Sequence, residues 1–214
     1  MIEHEKDFSQ RAELRERIIM TAMEAFSANG IKCITMDDVA ASLGISKRTL
    51  YEVFSDKESL LEACVLKKQA EGDCYVEGVY AQSGNVLEVI LAVFQRHIEI
   101  FHKTNKRFFE DMKKYPKIYA MVKNRHDNDS EKVLSFFKSG VEQGIFRDDV
   151  NFGIVNLLVR SQFDVLLDTD ICNEYPFIEV YESIMFTYLR GISTEKGAKM
   201  LEDFIQEYRK SRIG

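Results

Sequence analysis

Residues 35–61 read TMDDVAASLGISKRTLYEVFSDKESLL, and this stretch decides the fold of the 214-residue chain. Apolar residues recur at helical spacing on both sides of Gly44, which predicts two short helices joined by a tight turn. Thr35 is placed to cap the first of these helices, with Asp38 three residues later in a capping box. Ser46 is placed to cap the second. The stretch therefore predicts a helix-turn-helix.

The second short helix, predicted at about 47–54, begins with polar and basic side chains. These are Ser46, Lys47, Arg48 and Thr49. No acidic residue lies between Asp38 and Glu52. The free backbone N–H groups and the positive dipole end of a helix also favour a phosphate at its first turn. This pattern is typical of a helix that offers its first turn to the major groove of DNA.

The charge of the chain limits what kind of nucleic-acid binder it can be. The net charge is −6, from 29 Lys and Arg against 35 Asp and Glu. Residues 1–57 alone hold 8 basic and 10 acidic residues, so the helix-turn-helix region is not basic as a whole. This argues against a general nucleic-acid coat protein, and any DNA contact must come from a local arrangement of charges.

Helical periodicity continues through the chain, and no segment shows the sustained alternation of a strand. One helix precedes the quoted stretch, at about 12–28. A fourth begins near Lys57, and Gly72 and Gly78 weaken its continuation. Further helices are predicted at about 86–103, a short stretch through Met112, 116–141, 152–167, 176–190 and 195–210. The predicted fold class is all-α, with an N-terminal three-helix helix-turn-helix domain and a C-terminal antiparallel helical bundle.

The N-terminal region resembles the TetR family of bacterial transcriptional regulators over about 14–65. The matching positions are Thr35, Val39-Ala40, Gly44-Ile45-Ser46-Lys47, Thr49-Leu50-Tyr51, Phe54, Lys57-Glu58 and Leu60-Leu61. The resemblance implies a TetR-like architecture, with a DNA-binding domain in residues 1–57 and a helical ligand-binding and dimerisation domain in residues 58–214. It also implies a repressor that a small molecule releases from a palindromic operator.

The same resemblance assigns roles in DNA binding to seven residues. Thr35, Tyr51 and Lys57 are expected to contact phosphates. Ser46, Lys47, Arg48 and Thr49 are expected at the start of the recognition helix, facing the groove. The alternatives for these residues are helix caps, a packed tyrosine and a solvated charged face.

The recognition helix departs from the family pattern at two positions. Many members have a small residue where Arg48 lies and a polar one, often His, where Val53 lies. We therefore expect Arg48 to read a base here, and Val53 to offer only apolar contact, for example to a thymine methyl group. The acidic Glu52 is expected to point away from DNA.

The second domain is rich in aromatic and sulfur-containing side chains that are suited to an apolar pocket between helices. The candidate ligand-binding residues are Phe94, His97, Phe101, Phe108, Phe109, Met112, Tyr119 and Phe163. The alternative for each aromatic residue is ordinary core packing. The effector is expected to be an apolar or weakly polar small molecule.

Two helices of the second domain, at about 152–167 and 177–190, are apolar over a wide arc. We therefore expect them to pair with their copies in a homodimer. No catalytic motif, cofactor motif or metal-ligand spacing is present, and the four cysteines are expected to be buried. The N-terminus lacks a secretory pattern and no apolar run is long enough to span a bilayer, so a cytoplasmic protein without membrane contact is expected. The alternative function is a DNA-binding family member whose helical domain recruits a protein instead of a small molecule.

Overall fold

The computed structural model describes residues 2–123, 130–168 and 171–213. Within these residues the chain is helical, with one isolated β-bridge between Phe146 and Ser193 and no strand. The twelve helices are α1 (Ile2–Asn29), α2 (Met36–Leu43), α3 (Lys47–Val53), α4 (Lys57–Gln82), α5 (Val86–Lys103), α6 (Lys106–Met112), α7 (Pro116–Lys123), α8 (Ser130–Glu142), α9 (Phe152–Asp168), α10 (Ile171–Glu174), α11 (Phe177–Ile192) and α12 (Glu195–Ile213). The all-α fold class is confirmed.

Three boundaries differ from the sequence predictions or go beyond them. Helix α1 begins at Ile2, ten residues before the expected start near Ala12. Helix α4 continues through both glycines to Gln82, because a glycine weakens a helix by only about 1 kcal/mol and packing elsewhere along the helix offsets that cost. The single helix predicted for 116–141 is α7 and α8, and residues 124–129 lie outside the described part.

The chain divides into two compact units. The first unit contains the described residues up to Tyr75 together with Glu99–Lys123. The second contains Val76–Ile98 and the described residues from 130 onward. These units are not the same segments as the functional division at residue 57/58, which stays a prediction. Helices α6 and α7 thus share a compact unit with the helix-turn-helix.

The first unit has one hydrophobic core, to which α1, α2, α3, α4, α6 and α7 all contribute. Ile18, Ala22, Leu50, Leu60 and Leu61 are fully buried in it. Cys64 is also buried there, which raises its pKa to about 12. The expectation that the cysteines are buried is wrong for Cys33 and Cys74, which are exposed.

Helix α6 docks on the turn that follows α1. The Asn105 backbone N–H donates to the carbonyl of Ser27 at 2.7 Å. A β-carbon on Gly30, whose φ is +88°, would lie 2.8 Å from Cβ of Arg107. Glycine at this position therefore permits both the left-handed turn and the close approach of α6.

Asp111 secures this docking with a buried carboxylate. It accepts the Lys32 backbone N–H at 2.8 Å and the Lys114 ammonium at 2.9 Å. Burial raises the pKa of Asp111, but these hydrogen bonds and the charges of Lys114 and Lys32 outweigh that effect and hold the pKa below its ordinary value. Asp111 therefore joins α6 to the segment that leads into α2.

The core of the second unit is a cluster of aromatic rings. Phe94 stacks on Tyr181 with the ring centroids 5.4 Å apart, and Phe186 and Tyr208 lie 5.0 and 5.4 Å from Phe94. His97 Nδ1 is 2.8 Å from the Tyr181 hydroxyl. Among the described residues of the whole chain, no helix is both long enough and apolar enough to cross a membrane.

We predict that Asp111→Asn lowers the free energy of unfolding by about 1–3 kcal/mol at neutral pH, because it removes the charge that Lys114 and the Lys32 N–H require. A carboxyl group whose pKa is lowered by folding contributes stability above its unfolded pKa, and this contribution is lost as the pH falls through the folded pKa. The difference between wild type and variant should therefore be largest near pH 7 and shrink below about pH 4. Urea unfolding of both proteins near pH 7 and below about pH 4 measures this difference in the free energy of unfolding.

The matched control is Asp149→Asn, which removes an exposed carboxylate paired with Arg147 in the second unit. Exposed pairs of this kind contribute little to stability. An Asp111→Asn variant as stable at neutral pH as Asp149→Asn would contradict the structural role of Asp111.

Candidate DNA-binding surface

Helix α2 begins with the capping box that the sequence predicts. The Thr35 hydroxyl accepts the Asp38 backbone N–H at 3.1 Å, and the Asp38 carboxylate accepts the Thr35 backbone N–H at 2.8 Å. Hydrogen bonds from Thr35 hold the pKa of Asp38 below its ordinary value. Both partners are exposed, so the cap places the Thr35 side chain at the surface.

The turn between α2 and α3 depends on Gly44. Its φ is +65°, a left-handed conformation that glycine adopts without steric cost. The N–H groups of Gly44 and Ile45 donate to the carbonyls of Ala41 and Ala40, each at 3.1 Å. These bonds end α2 and reverse the chain within two residues, and the predicted helix-turn-helix is confirmed.

Ser46 and Thr49 form the first turn of α3. The Ser46 hydroxyl accepts the Thr49 backbone N–H at 3.0 Å and lies 2.8 Å from the Thr49 hydroxyl. Ser46 is therefore a helix cap in the free chain. Because a hydroxyl both donates and accepts, capping leaves hydrogen-bonding capacity at this exposed turn.

The two buried residues Leu50 and Phe54 fix the rotation of α3 about its axis. With 3.6 residues per turn, Arg48 and Glu52 lie on the opposite, exposed face. Glu52 therefore shares an exposed face with Arg48. Its expected orientation away from DNA stays a prediction.

Both cations at the start of α3 have acidic partners. Lys47 Nζ lies 2.8 Å from the Asp37 carboxylate on α2, which raises the pKa of Lys47. Arg48 Nε donates to Glu52 at 3.0 Å, and the Arg48 side chain is 89% exposed. Exposed pairs of this kind are weak. The acids therefore orient the two cations without withdrawing them from the surface.

Tyr51 and Lys57 differ in their surroundings. Tyr51 is 42% exposed, and the Lys47 ammonium lies 5.9 Å from its ring centroid. Lys57 is partly buried, with its ammonium 5.7 Å from the ring centroid of Phe26. Burial lowers the pKa of Lys57, against the opposing effect of the Asp111 charge. A partly desolvated ammonium at the start of α4 is suited to a strong acceptor such as a phosphate oxygen.

Sequence reasoning missed the part of α1 that lies beside α3. Gln10, Arg11 and Leu14 line a surface depression of about 370 Å³ together with Thr49 and other residues of α3. The residues before Ala12 are too polar to show a helical stripe by themselves. Their position beside α3 depends on tertiary packing and has no local signal in the sequence.

The candidate ligand-binding residues fall into two groups. Phe94 and His97 belong to the aromatic cluster of the second unit. In the first unit, Phe108 and Met112 belong to the hydrophobic core, with Phe101, Phe109 and Tyr119 partly buried. The side chain of Phe163 lies outside the described part.

The two surface depressions of the first unit lie away from the eight ligand candidates. A depression of about 460 Å³ beside Arg15 and Phe54, and the smaller one beside Arg11, include none of the eight. In the part of the chain that the structure describes, no cluster of His, Cys, Asp and Glu is arranged to hold a metal ion. Ligand binding by these residues stays a prediction.

The chain is similar to bacterial transcriptional regulators in each comparison with known proteins. Residues 18–64 match the model of the bacterial regulatory proteins of the tetR family. The HTH-type transcriptional regulator UidR of Escherichia coli K12 is 27% identical over 177 residues, which are 77% of this chain and 87% of UidR. The HTH-type transcriptional repressor KstR2 of Mycolicibacterium smegmatis is 25% identical over 162 residues, 72% of this chain and 77% of KstR2. These relatives are regulators and not enzymes.

The fold is similar to that of solved regulators. The structure of the ketosteroid transcriptional regulator KstR2 of Mycobacterium tuberculosis superimposes with a TM-score of 0.53 at 20% identity. The match covers 85% of this chain and 95% of that protein. At this level of identity the likeness concerns the fold alone.

Proposed function

We propose that this chain, which belongs to the tetR family of bacterial regulatory proteins and is a transcriptional regulator, acts as a homodimeric repressor that a small apolar molecule releases from a palindromic operator. The observation that carries the DNA-binding part is the exposed face of α3, where Arg48 lies opposite the buried Leu50. No observation favours a protein-recruiting role for the helical domain.

The proposed DNA contacts divide into base reading and phosphate binding. Arg48 is the cation nearest the centre of the exposed face of α3, so it is assigned to a base edge, with a guanine as the preferred partner of its paired N–H donors. Thr35, Tyr51 and Lys57 are assigned to phosphates, which position the protein but carry no sequence information. Ser46, Lys47 and Thr49 complete the first turn that enters the groove.

We predict that Arg48→Ala reduces affinity for a selected operator by an amount equivalent to about 1–3 kcal/mol and relaxes the preference at one or two base pairs. Lys57→Ala should weaken binding to all sequences alike, because a phosphate is the same at every base pair. Titration of each variant against a selected duplex and a scrambled duplex distinguishes the two effects. Unchanged affinity and preference in Arg48→Ala would refute the base-reading role.

The dimer proposal depends on an exposed apolar stripe of α9. Ile154, Leu157 and Leu158 are 56%, 60% and 54% exposed and lie on one face of the helix. The opposite side of α9 packs on α11, where the Tyr188 hydroxyl donates to the carbonyl of Val155. An apolar stripe of this kind on a packed helix is typical of a protein interface.

We predict that Leu157→Glu converts the dimer to monomers, because it places a charge in the centre of the apolar stripe. Leu66→Glu is the matched control: Leu66 is 51% exposed on α4, outside the proposed interface. Light scattering at micromolar concentration should report a dimer for wild type and Leu66→Glu. A monomeric wild type, or a dimeric Leu157→Glu variant, would contradict the proposal.

The ligand part of the proposal rests on the candidate residues of the first and second units. Phe109 and Tyr119 are partly buried against a core that also contains Leu50 of the recognition helix, and the Phe101 ring lies 5.8 Å from that of Phe109. A ligand that displaced these rings would act on the core that orients α3. The name of one fold relative, a ketosteroid regulator, is consistent with an apolar effector.

We predict that an apolar compound that stabilises the protein in a thermal-shift screen also weakens operator binding. By linkage, the factor by which the compound weakens operator binding must equal the factor by which operator weakens compound binding. Two titrations, one with each ligand saturating, measure both factors. Compounds that stabilise the protein and leave operator affinity unchanged would refute the coupling.

A further inference from the structure

The face of α1 that packs on the core is apolar in the second half of the helix and carries arginines nearer the N-terminus. Ile18, Ala22 and Phe26 are buried on it over more than two turns. Towards the N-terminus the same face of the helix carries the partly buried Leu14 and the exposed Arg15 and Arg11. Helix α1 therefore extends beyond the core of the first unit, and two arginines occupy the extension.

The two arginines lie against different parts of the end of the helix-turn-helix. The Arg15 guanidinium lies over the Phe54 ring, 5.1 Å from its centroid, at the end of α3. One turn further out, Arg11 and Gln10 line the 370 Å³ depression whose other wall is formed by Thr49, Glu52 and Val53 of α3. The extension of α1 thus follows one side of the recognition helix.

The two sides of α3 face different neighbours. Lys47 is paired with Asp37 on α2, so that side faces α2. Thr49 follows Lys47 by two residues, which is a rotation of roughly 200°, and it lies on the side of α1. A helix with its side chains is about 10–12 Å wide, and the major groove is about 12 Å wide. A recognition helix in the groove therefore has a phosphodiester strand on each side.

Thr35, which caps α2, places its proposed phosphate on the α2 side. On the other side, Arg11 supplies the positive charge of the depression. Glu52 also lines it, but its carboxylate is paired with Arg48 at 3.0 Å. A guanidinium presents several N–H donors in one plane and matches the oxygens of a phosphate.

We propose that Arg11 binds a backbone phosphate of the operator strand that passes on the Thr49 side of α3. Helix α1 is then part of the DNA-binding surface and not only a support for it. This inference rests on the proposed function. It assigns a positioning contact, which strengthens binding to every sequence and leaves base preference to α3.

The test compares Arg11→Gln with Arg17→Gln. Arg17 is an exposed arginine of the same helix, and a rotation of roughly 240° from Arg11 turns it away from α3. Affinity for a duplex selected by the wild-type protein is measured as a function of salt concentration. Loss of one phosphate contact lowers the slope of log affinity against log salt by about 0.9 for each bound protomer. We expect this change in Arg11→Gln and not in Arg17→Gln.

A second measurement identifies the phosphate. Single phosphates of the selected duplex are replaced by neutral methylphosphonates, one position at a time. At the position that Arg11 contacts, the replacement should weaken binding of the wild type and have no further effect on Arg11→Gln. Because both duplexes are measured with the same variant, a general loss of folding cannot produce this result.

The outcomes separate the two proposals. Equal salt slopes for Arg11→Gln and Arg17→Gln, with no methylphosphonate position that distinguishes wild type from Arg11→Gln, overturn the role of Arg11 alone. A wild-type protein that selects no duplex from a random pool overturns the proposed function and this inference together.

Discussion

The burial of Leu50 and Phe54 sets the rotation of α3, and the chemistry of the surface depends on that rotation. Both side chains are held in a core shared with α1, α2, α4, α6 and α7. If the register of α3 changed by one residue, each side chain would rotate by roughly 100°. Arg48 would leave the centre of the exposed face. Leu50 and Phe54, which touch no DNA in the proposed complex, thus determine which polar residues do.

Helix α6 contributes to the core that sets the rotation of α3. Asp111 of α6 binds the Lys32 backbone N–H, 79 residues away in sequence, and Phe108 and Met112 of the same helix enter the core that holds Leu50. The hydrophobic core that supports the helix-turn-helix is therefore built in part from residues outside it. In the proposed mechanism, a ligand that moves α6 therefore acts on the same core that holds Leu50 of α3.

The features that the sequence predicts are those that depend on residues close together along the chain. The capping box at Thr35, the left-handed Gly44 and the bounds of α5 were predictable, because each depends on residues a few positions apart. The start of α1 was not, because a polar helix shows no stripe until its neighbours are known. The contact of Asp111 with Lys32 and the position of Arg11 depend on tertiary packing, and neither has a local signal.

The acidic partners of the cations on α3 resolve the apparent conflict between a net charge of −6 and DNA binding. Non-specific affinity grows with the number of unpaired cations near the phosphates, and here Lys47 and Arg48 are paired with Asp37 and Glu52. To bind DNA, each of these cations must leave its acidic partner and contact a base or phosphate instead. A guanine offers Arg48 two acceptors in fixed geometry. At a sequence without that guanine, Glu52 competes with the DNA for the Arg48 guanidinium. In the proposed complex, the same acids thus reduce attraction to DNA in general and increase the difference in affinity between the operator and other sequences.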